Sequence, residues 1–182
     1  RIRNDAARIM SASGKMRERL DDLLNLARAG RIANPTEAIS LTPLAEEARG
    51  LCEGGLAAAG VTLRIEPGMP EVLVDRVRFV EVFQNLIENA IKFTPGRPLP
   101  LVEIGVRQDG TQRTFFVKDN GIGIPTRFHD RVFGLFDKLD PRTEGSGVGL
   151  AVVRRIVEVH GGRVWIESDG EGHGTTICFT LP

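Results

Sequence analysis

Apolar residues recur every seven positions at the start of the chain. Ile2, Ile9, Met16 and Leu23 form one series, and Ala6, Ser13, Leu20 and Ala27 form a second, offset by four. Together they predict one helix over residues 1–29 with a narrow seam and Arg, Asp, Glu and Lys between. Such a seam asks for partner helices in a bundle or dimer; a helix lying on the following domain is the alternative. The segment 30–35 (GRIANP) breaks the pattern and reads as a linker. A second helix is expected from Thr42, as N-cap with Pro43 in the first turn, to about Ala59, closed by Gly60.

Beyond Gly60 the period shifts between two and 3.6. Residues 61–66 (VTLRIE) alternate as a strand, and 75–93 form a long helix ended by Thr94-Pro95-Gly96. Strands are predicted over 101–107 and 114–118, joined by a turn at Asp109-Gly110. Residues 119–146 are loop-like, with a short helical piece near 128–136. A helix over 147–159 stops at Gly161-Gly162, and strands at 163–167 and 175–180 close the chain. This order predicts an α/β chain of the α+β two-layer kind: a mixed, mostly antiparallel sheet covered by helices on one face, the other exposed or used for docking.

The 182 residues carry 24 Lys plus Arg against 24 Asp plus Glu. Zero net charge argues against nucleic-acid binding by bulk electrostatics and against a polybasic membrane anchor. An apolar share of 41% with 26% charged residues fits a globular chain. No run approaches the ~18 apolar residues of a membrane-spanning helix. Cys52 and Cys178 stand apart without ligand-spaced neighbours, which excludes a zinc finger or disulfide scaffold and fits a reducing cytoplasm. The chain starts at Arg1 with no signal-peptide pattern. It is expected to be a piece of a longer protein, with any sensor or membrane segment upstream.

Four segments carry candidate chemistry. On the helix over 75–93, Asn85, Glu88, Asn89 and Lys92 form one stripe opposite the apolar face. Asn in a helix interior loses roughly several tenths of a kcal/mol against Ala. Asn85 and Asn89 lie one turn apart, so their amide oxygens can meet on one hard cation, with Lys92 a turn further toward a phosphate. The helix alone leaves this reading and a solvated face equally open. The second segment, 119–125 (DNGIGIP), is a turn by its Asn-Gly dipeptide. A strand-end carboxylate at Asp119 can also accept from an exocyclic amine such as adenine's. Gly121 and Gly123 would admit a flat ring, and Ile122 and Ile124 would supply apolar contact. The third, 145–150 (GSGVGL), opens a helix with glycines, as a phosphate cradle does. It matches neither a Walker A loop nor a dinucleotide fingerprint. The fourth, 172–176 (GHGTT), reads as a hairpin turn.

In this order the four segments resemble the ATP-binding domain of sensor histidine kinases, whose fold is shared with the gyrase ATPase, heat-shock chaperones and mismatch-repair ATPases. The resemblance covers about residues 38–182. The segment 84–93 (QNLIENAIKF) is similar to the N box, 119–125 to G1, 133–136 (FGLF) to the F box, 145–150 to G2, and 172–176 to the last glycine box. It implies Mg²⁺ on Asn89 with Asn85 nearby, Lys92 on the phosphates, and Asp119 on the adenine amine. Gly121, Gly123 and Ile124 would line the ring, with Thr176 also beside the nucleotide. Residues 126–144 would form a lid with Phe133 and Phe136 as latches and Lys138 or Arg142 on phosphate. Gly145, Ser146, Gly147, Val148, Gly149 and Leu150 would let that lid fold over the triphosphate. Glu88 is the candidate to polarise the nucleophile.

The leading helix resembles the second helix of the kinase dimerisation hairpin. This divides the chain into residues 1–34, a partial hairpin with linker, and 35–182, the catalytic domain. The family's acceptor histidine sits on the first helix. His129, His160 and His173 stand in other contexts, so the acceptor is expected upstream. The implied reaction is γ-phosphoryl transfer from ATP to that histidine and onward to a response regulator, in a homodimer. The alternatives are a gyrase- or mismatch-repair-type ATPase, and a docking module without catalysis.

Overall fold

The computed structural model describes residues 2–31, 34–94, 96–137 and 146–182. In chain order the elements are α1 (Ile2–Ala29), β1 (Glu37–Ser40), α2 (Leu41–Ala59), β2 (Thr62–Ile65), β3 (Glu71–Val74) and α3 (Arg76–Phe93). They continue with β4 (Leu101–Asp109), β5 (Gln112–Asp119), α4 (Gly149–Val159), β6 (Arg163–Glu167) and β7 (Thr175–Thr180). One sheet has the order β2-β4-β5-β7-β6. Its β2–β4 pair is parallel and its other pairs are antiparallel. The mixed, helix-covered sheet expected from the pattern is the one observed. A second, two-stranded sheet pairs β1 with β3. The hydrophobic pattern does not predict these two strands: β1 follows close on the breaker segment, and β3 runs straight into the Asp75 cap of α3.

Strand parity decides what faces the helices. Val102 and Ile104 of β4, Phe115 and Val117 of β5, and Ile177 and Phe179 of β7 are buried with the apolar stripes of α3 and α4. Phe179 is the centre: its ring meets Phe115 at 5.4 Å, Phe79 at 6.2 Å and Phe83 at 6.3 Å. The opposite face is bridged by Arg107 and Glu167, with Trp165 donating to Glu167 at 2.9 Å.

Capping refines the predicted boundaries. The N-cap of α2 is Ser40, not Thr42: its hydroxyl accepts from the Thr42 amide at 3.3 Å. The Thr42 hydroxyl accepts from the Met69 amide and donates to the Glu66 carbonyl, tying the β2–β3 turn to α2. Gly60 closes α2 at φ +63°, a conformation glycine adopts without strain. The helical piece expected near 128–136 is two 3-10 turns, Thr126–Phe128 and Arg131–Phe133. The fourth helix starts at Gly149, two residues later than expected, because Gly147 has φ +78°.

Asp75 caps α3, accepting from the amides of Val77 and Arg78 at 3.1 and 3.3 Å. Its other oxygen accepts the Asn34 amide at 3.0 Å, and the Asn34 side chain donates to both oxygens. Burial pushes this carboxyl up, but the bonds from Asn34, Arg78 and Val77 outweigh it and hold it below its usual range. The Asp75 amide donates to His160 Nε2 at 3.1 Å, so His160 carries its proton on Nδ1, which donates to the Ile156 carbonyl at 2.8 Å.

The end of α1 docks on the same unit. Ala29 is buried, Leu26 packs on the core, and Arg78 donates to the Arg28 carbonyl at 3.2 Å. Upstream, Met16, Leu20, Leu23 and Leu24 stay exposed. The last turn of this helix thus lies on the following domain, while its described seam residues are exposed. Among the described residues, no helix is long and apolar enough to cross a membrane.

Candidate functional site

Three elements meet at one end of the sheet: the last turns of α3, the loop after β5, and the start of α4. Asp119 ends β5 on the inner face. Its Oδ1 accepts from the Gly121 amide at 2.8 Å and the Thr175 amide at 3.3 Å. Among the described residues its Oδ2 accepts nothing. Burial raises its pKa, and the two amide bonds only partly counter that. The result is a carboxylate with one oxygen engaged and one available.

The walls beside it are main chain. A Cβ on Gly121 would overlap the Phe93 carbonyl. One on Gly123, at φ +76°, would overlap the Gly170 carbonyl, and one on Gly174, at φ +75°, the Asp119 carbonyl. The Ile122 amide donates to the Phe93 carbonyl at 3.0 Å, and its own carbonyl accepts from the Gly172 amide at 2.6 Å. Ile124 is buried, and its amide donates to Ser168 Oγ at 3.1 Å. Ile122 remains 51% exposed, as a surface waiting to be covered.

The two threonines of the last box fall on opposite faces of the sheet. Thr175 pairs with Asp119, whereas Thr176 pairs with Lys118 and Glu167 on the sheet's other face. Thr175, not Thr176, is therefore the threonine beside the carboxylate. The cue was present: Thr175 shares parity with Ile177 and Phe179.

On α3, Asn85 donates its amide nitrogen to the Glu81 carbonyl at 2.8 Å. Its oxygen thereby faces Gly149, where an added Cβ would stand 2.7 Å away. Asn89, half-buried one turn on, makes no side-chain hydrogen bond among the described residues. Lys92 follows, its ammonium 5.1 Å from the Phe93 ring centroid. Glu88 is exposed at the α2 edge of the stripe and accepts from Gln84 at 2.9 Å. Burial, then the charge of Glu88, raises the Cys52 thiol of α2 to about 11, leaving it unreactive.

At the start of α4, Val148 is buried and caps without a side-chain bond, so the first amides of the helix keep no capping partner from it. Ser146, Gly147 and Leu150 are half-buried around it. Phe136, at φ +61°, donates its amide to the Gly147 carbonyl at 3.1 Å. Phe133 is buried. His129 pairs with the Ile124 carbonyl at 2.9 Å. Lys138, Arg142 and Gly145 lie outside the described residues.

Asp119, Gly121, Gly123 and Ile124 thus form one cluster, with Asn85 and Gly149 in contact on its neighbour. Among the described residues no group of three or more His, Cys, Asp or Glu side chains is placed to hold a metal. The hard donors at the stripe are amide oxygens, which suit an ion that keeps water and phosphate ligands.

Residues 74–182 match the family model described as histidine kinase-, DNA gyrase B- and HSP90-like ATPase. The methanogenesis regulatory histidine kinase FilI of Methanothrix harundinacea is 49% identical over 182 residues, which is 100% of this chain and 20% of that protein. The chain therefore spans about a fifth of that relative. Full-length ShkA, crystallised with AMPPNP, superposes with a TM-score of 0.74 at 26% identity, over 98% of this chain and 38% of that one. The catalytic domain of histidine kinase ThkA gives 0.69 at 26% identity, over 82% and 96%. ThkA in complex with the response regulator TrrA gives 0.65 at 25% identity, over 81% and 41%. A match across more than half of its residues, on a fold shared with histidine kinase catalytic domains, makes this chain a member of the histidine kinase-, DNA gyrase B- and HSP90-like ATPase family.

Proposed function

We propose that the chain binds Mg-ATP and transfers the γ-phosphoryl group to a histidine on a dimerisation hairpin, from which it passes to an aspartate of a response regulator. The observation that carries this reading is Asp119: one oxygen held by two main-chain amides, the other open beside a wall without side chains. That arrangement suits an exocyclic amine on a flat ring.

The adenine would lie on the main chain at Gly121 and Gly123, with Ile122 and Ile124 against it. The triphosphate would run toward the start of α4, whose first amides take no side-chain cap from Val148 and would favour anions. Asn89, with Asn85 beside it, would hold Mg²⁺, which supplies charge neutralisation on the phosphates. Lys92, Lys138 and Gly145 would meet the phosphates, with residues 126–144 as lid. Phe136 already ties that segment to Gly147. Glu88 would orient the attacking imidazole. In the transfer, the bond from the γ-phosphorus to the bridging oxygen of ADP breaks and a phosphorus–nitrogen bond forms. The chain contributes alignment and charge, with no covalent enzyme group.

The three histidines of this chain are His129, His160 and His173, and each pairs with a main-chain carbonyl. The acceptor would therefore come from another part of the parent protein, with residues 1–34 as the second helix of its hairpin. The exposed seam of α1 supports pairing with a second copy there. The complex of ThkA with TrrA supports a response regulator as downstream partner. Two buried free cysteines fit a cytoplasmic setting.

Incubation with γ-labelled ATP, Mg²⁺ and a separately supplied hairpin bearing a histidine tests the reading. Acid-labile, base-stable label on the hairpin is expected. Turnover without label points instead to a gyrase-like ATPase. No nucleotide binding at all removes the proposal.

A further inference from the structure

The loop between α3 and β4 is tied to the Asp119 loop more heavily than a connection requires. Asn120 donates to the Leu99 carbonyl at 3.0 Å, accepts from the Leu101 amide at 2.9 Å, and donates its own amide to the Leu101 carbonyl at 3.2 Å. These bonds hold Leu99 at φ +57°, a left-handed conformation that costs a non-glycine residue about 1 kcal/mol or more. From the same loop the half-buried Arg97 sends Nη2 to the Gly121 carbonyl at 2.7 Å. The guanidinium also lies beside Gly172, where an added Cβ would be 3.8 Å from it.

The peptide unit that Arg97 grips is the one joining Gly121 to Ile122. Its N–H end donates to the Phe93 carbonyl at 3.0 Å. The preceding amide, of Gly121 itself, donates to Asp119 Oδ1 at 2.8 Å. Gly121 lacks a side chain to restrict it, and a Cβ there would collide with Phe93. Its orientation therefore depends on those bonds, and the one from Arg97 is charge-assisted, the stronger kind. The Gly121 amide belongs to the preceding peptide unit, so the grip of Arg97 reaches it through the Gly121 Cα: without that grip the loop loosens there, and the bond from the Gly121 amide to Asp119 loosens with it.

We propose that Arg97 is a positioning residue for purine discrimination: by clamping the Gly121 carbonyl it aims the free oxygen of Asp119 at the exocyclic amine. This rests on the reading that adenine binds at Asp119.

The test uses the whole 182-residue chain with Mg²⁺ and non-hydrolysable analogues of ATP and of ITP, whose base has an oxo group in place of the amine. Calorimetry gives both affinities for wild type, Arg97→Ala and Arg97→Lys, and thermal melts check folding. Arg97→Ala is expected to weaken the adenine analogue about tenfold, the scale of one charged hydrogen bond. The inosine analogue should stay within about twofold, so the preference collapses. Arg97→Lys, which keeps one charged donor, should restore part of it. Equal losses for both analogues, or no loss for either, would overturn the proposal and leave Arg97 a loop staple. Should Arg97→Ala melt before measurement, Arg97→Lys and Arg97→Gln are read by the same ratio. A wild type that binds neither analogue, or both alike, removes the purine site itself, and the proposal goes with it.

Discussion

Asp119 and Glu167 end the two strands that flank β7, opposite Thr175 and Thr176 respectively. One residue of register separates them, and it puts them on opposite faces of the sheet. Glu167 takes a two-pronged bond from Arg107 and further bonds from the Trp165 indole and the Cys178 thiol. Arg107 above all, against some burial, holds it down at about 2. Asp119 has only main-chain amides on one oxygen, and burial pushes it up. A carboxylate surrounded by its own cations and donors has nothing left to offer a ligand. One that is half-buried and half-satisfied is costly to the fold and available for chemistry.

The sharpest way to break this contrast is to neutralise each carboxyl in turn. Asp119→Asn should lower affinity for a non-hydrolysable ATP analogue by roughly 10- to 100-fold, while Glu167→Gln leaves it within about twofold. Calorimetry giving equal losses would end the distinction. Next comes pH. Because the Asp119 pKa is raised in the folded chain, its acceptor form is lost earlier than for a free aspartate as acid is added. Nucleotide affinity should therefore begin to fall at a pH above the ordinary aspartate range. The sign for stability is opposite at the two sites. Burial of Asp119 favours its neutral form, so its contribution is present below the unfolded value and lost as pH rises through the folded one. Glu167 contributes above the ordinary glutamate range, and that contribution fades as pH falls toward about 2.

Arg107→Ala should then cost on the order of 1 kcal/mol at neutral pH, since the pair is partly solvated. Melting curves should show a deficit that shrinks in acid, with nucleotide affinity unchanged. The smallest effect is expected at Thr176→Val, which should alter nucleotide affinity by less than about twofold if the register is right. A tenfold loss there would return Thr176 to the site.

What the sequence disclosed depended on how strongly each segment repeats itself. The helix over 75–93 was legible because a broad apolar face, an Asp at its start and Thr-Pro-Gly at its end agree. The glycine loops were legible as a set because their order is distinctive. Which of Thr175 and Thr176 stands beside Asp119 is hard to read from the sequence, since adjacent identical residues differ only in parity and the buried Cys178 blurs the alternation. Ser40 is hard to recognise as the cap because the following Thr-Pro presents the same signal two residues later. Arg97 left no signal: its partner is a carbonyl, and carbonyl positions follow from tertiary structure alone.

Gly121, Gly123 and Gly174 bring three stretches of main chain together with no space for a methyl group between them. A ring bound there, as proposed, would meet amides and carbonyls, which every amino acid shares. Under the proposed function, a redesign of base selectivity would find no interchangeable side chains on that wall, and would have to work from Asp119, Ile122 and the arginine behind them.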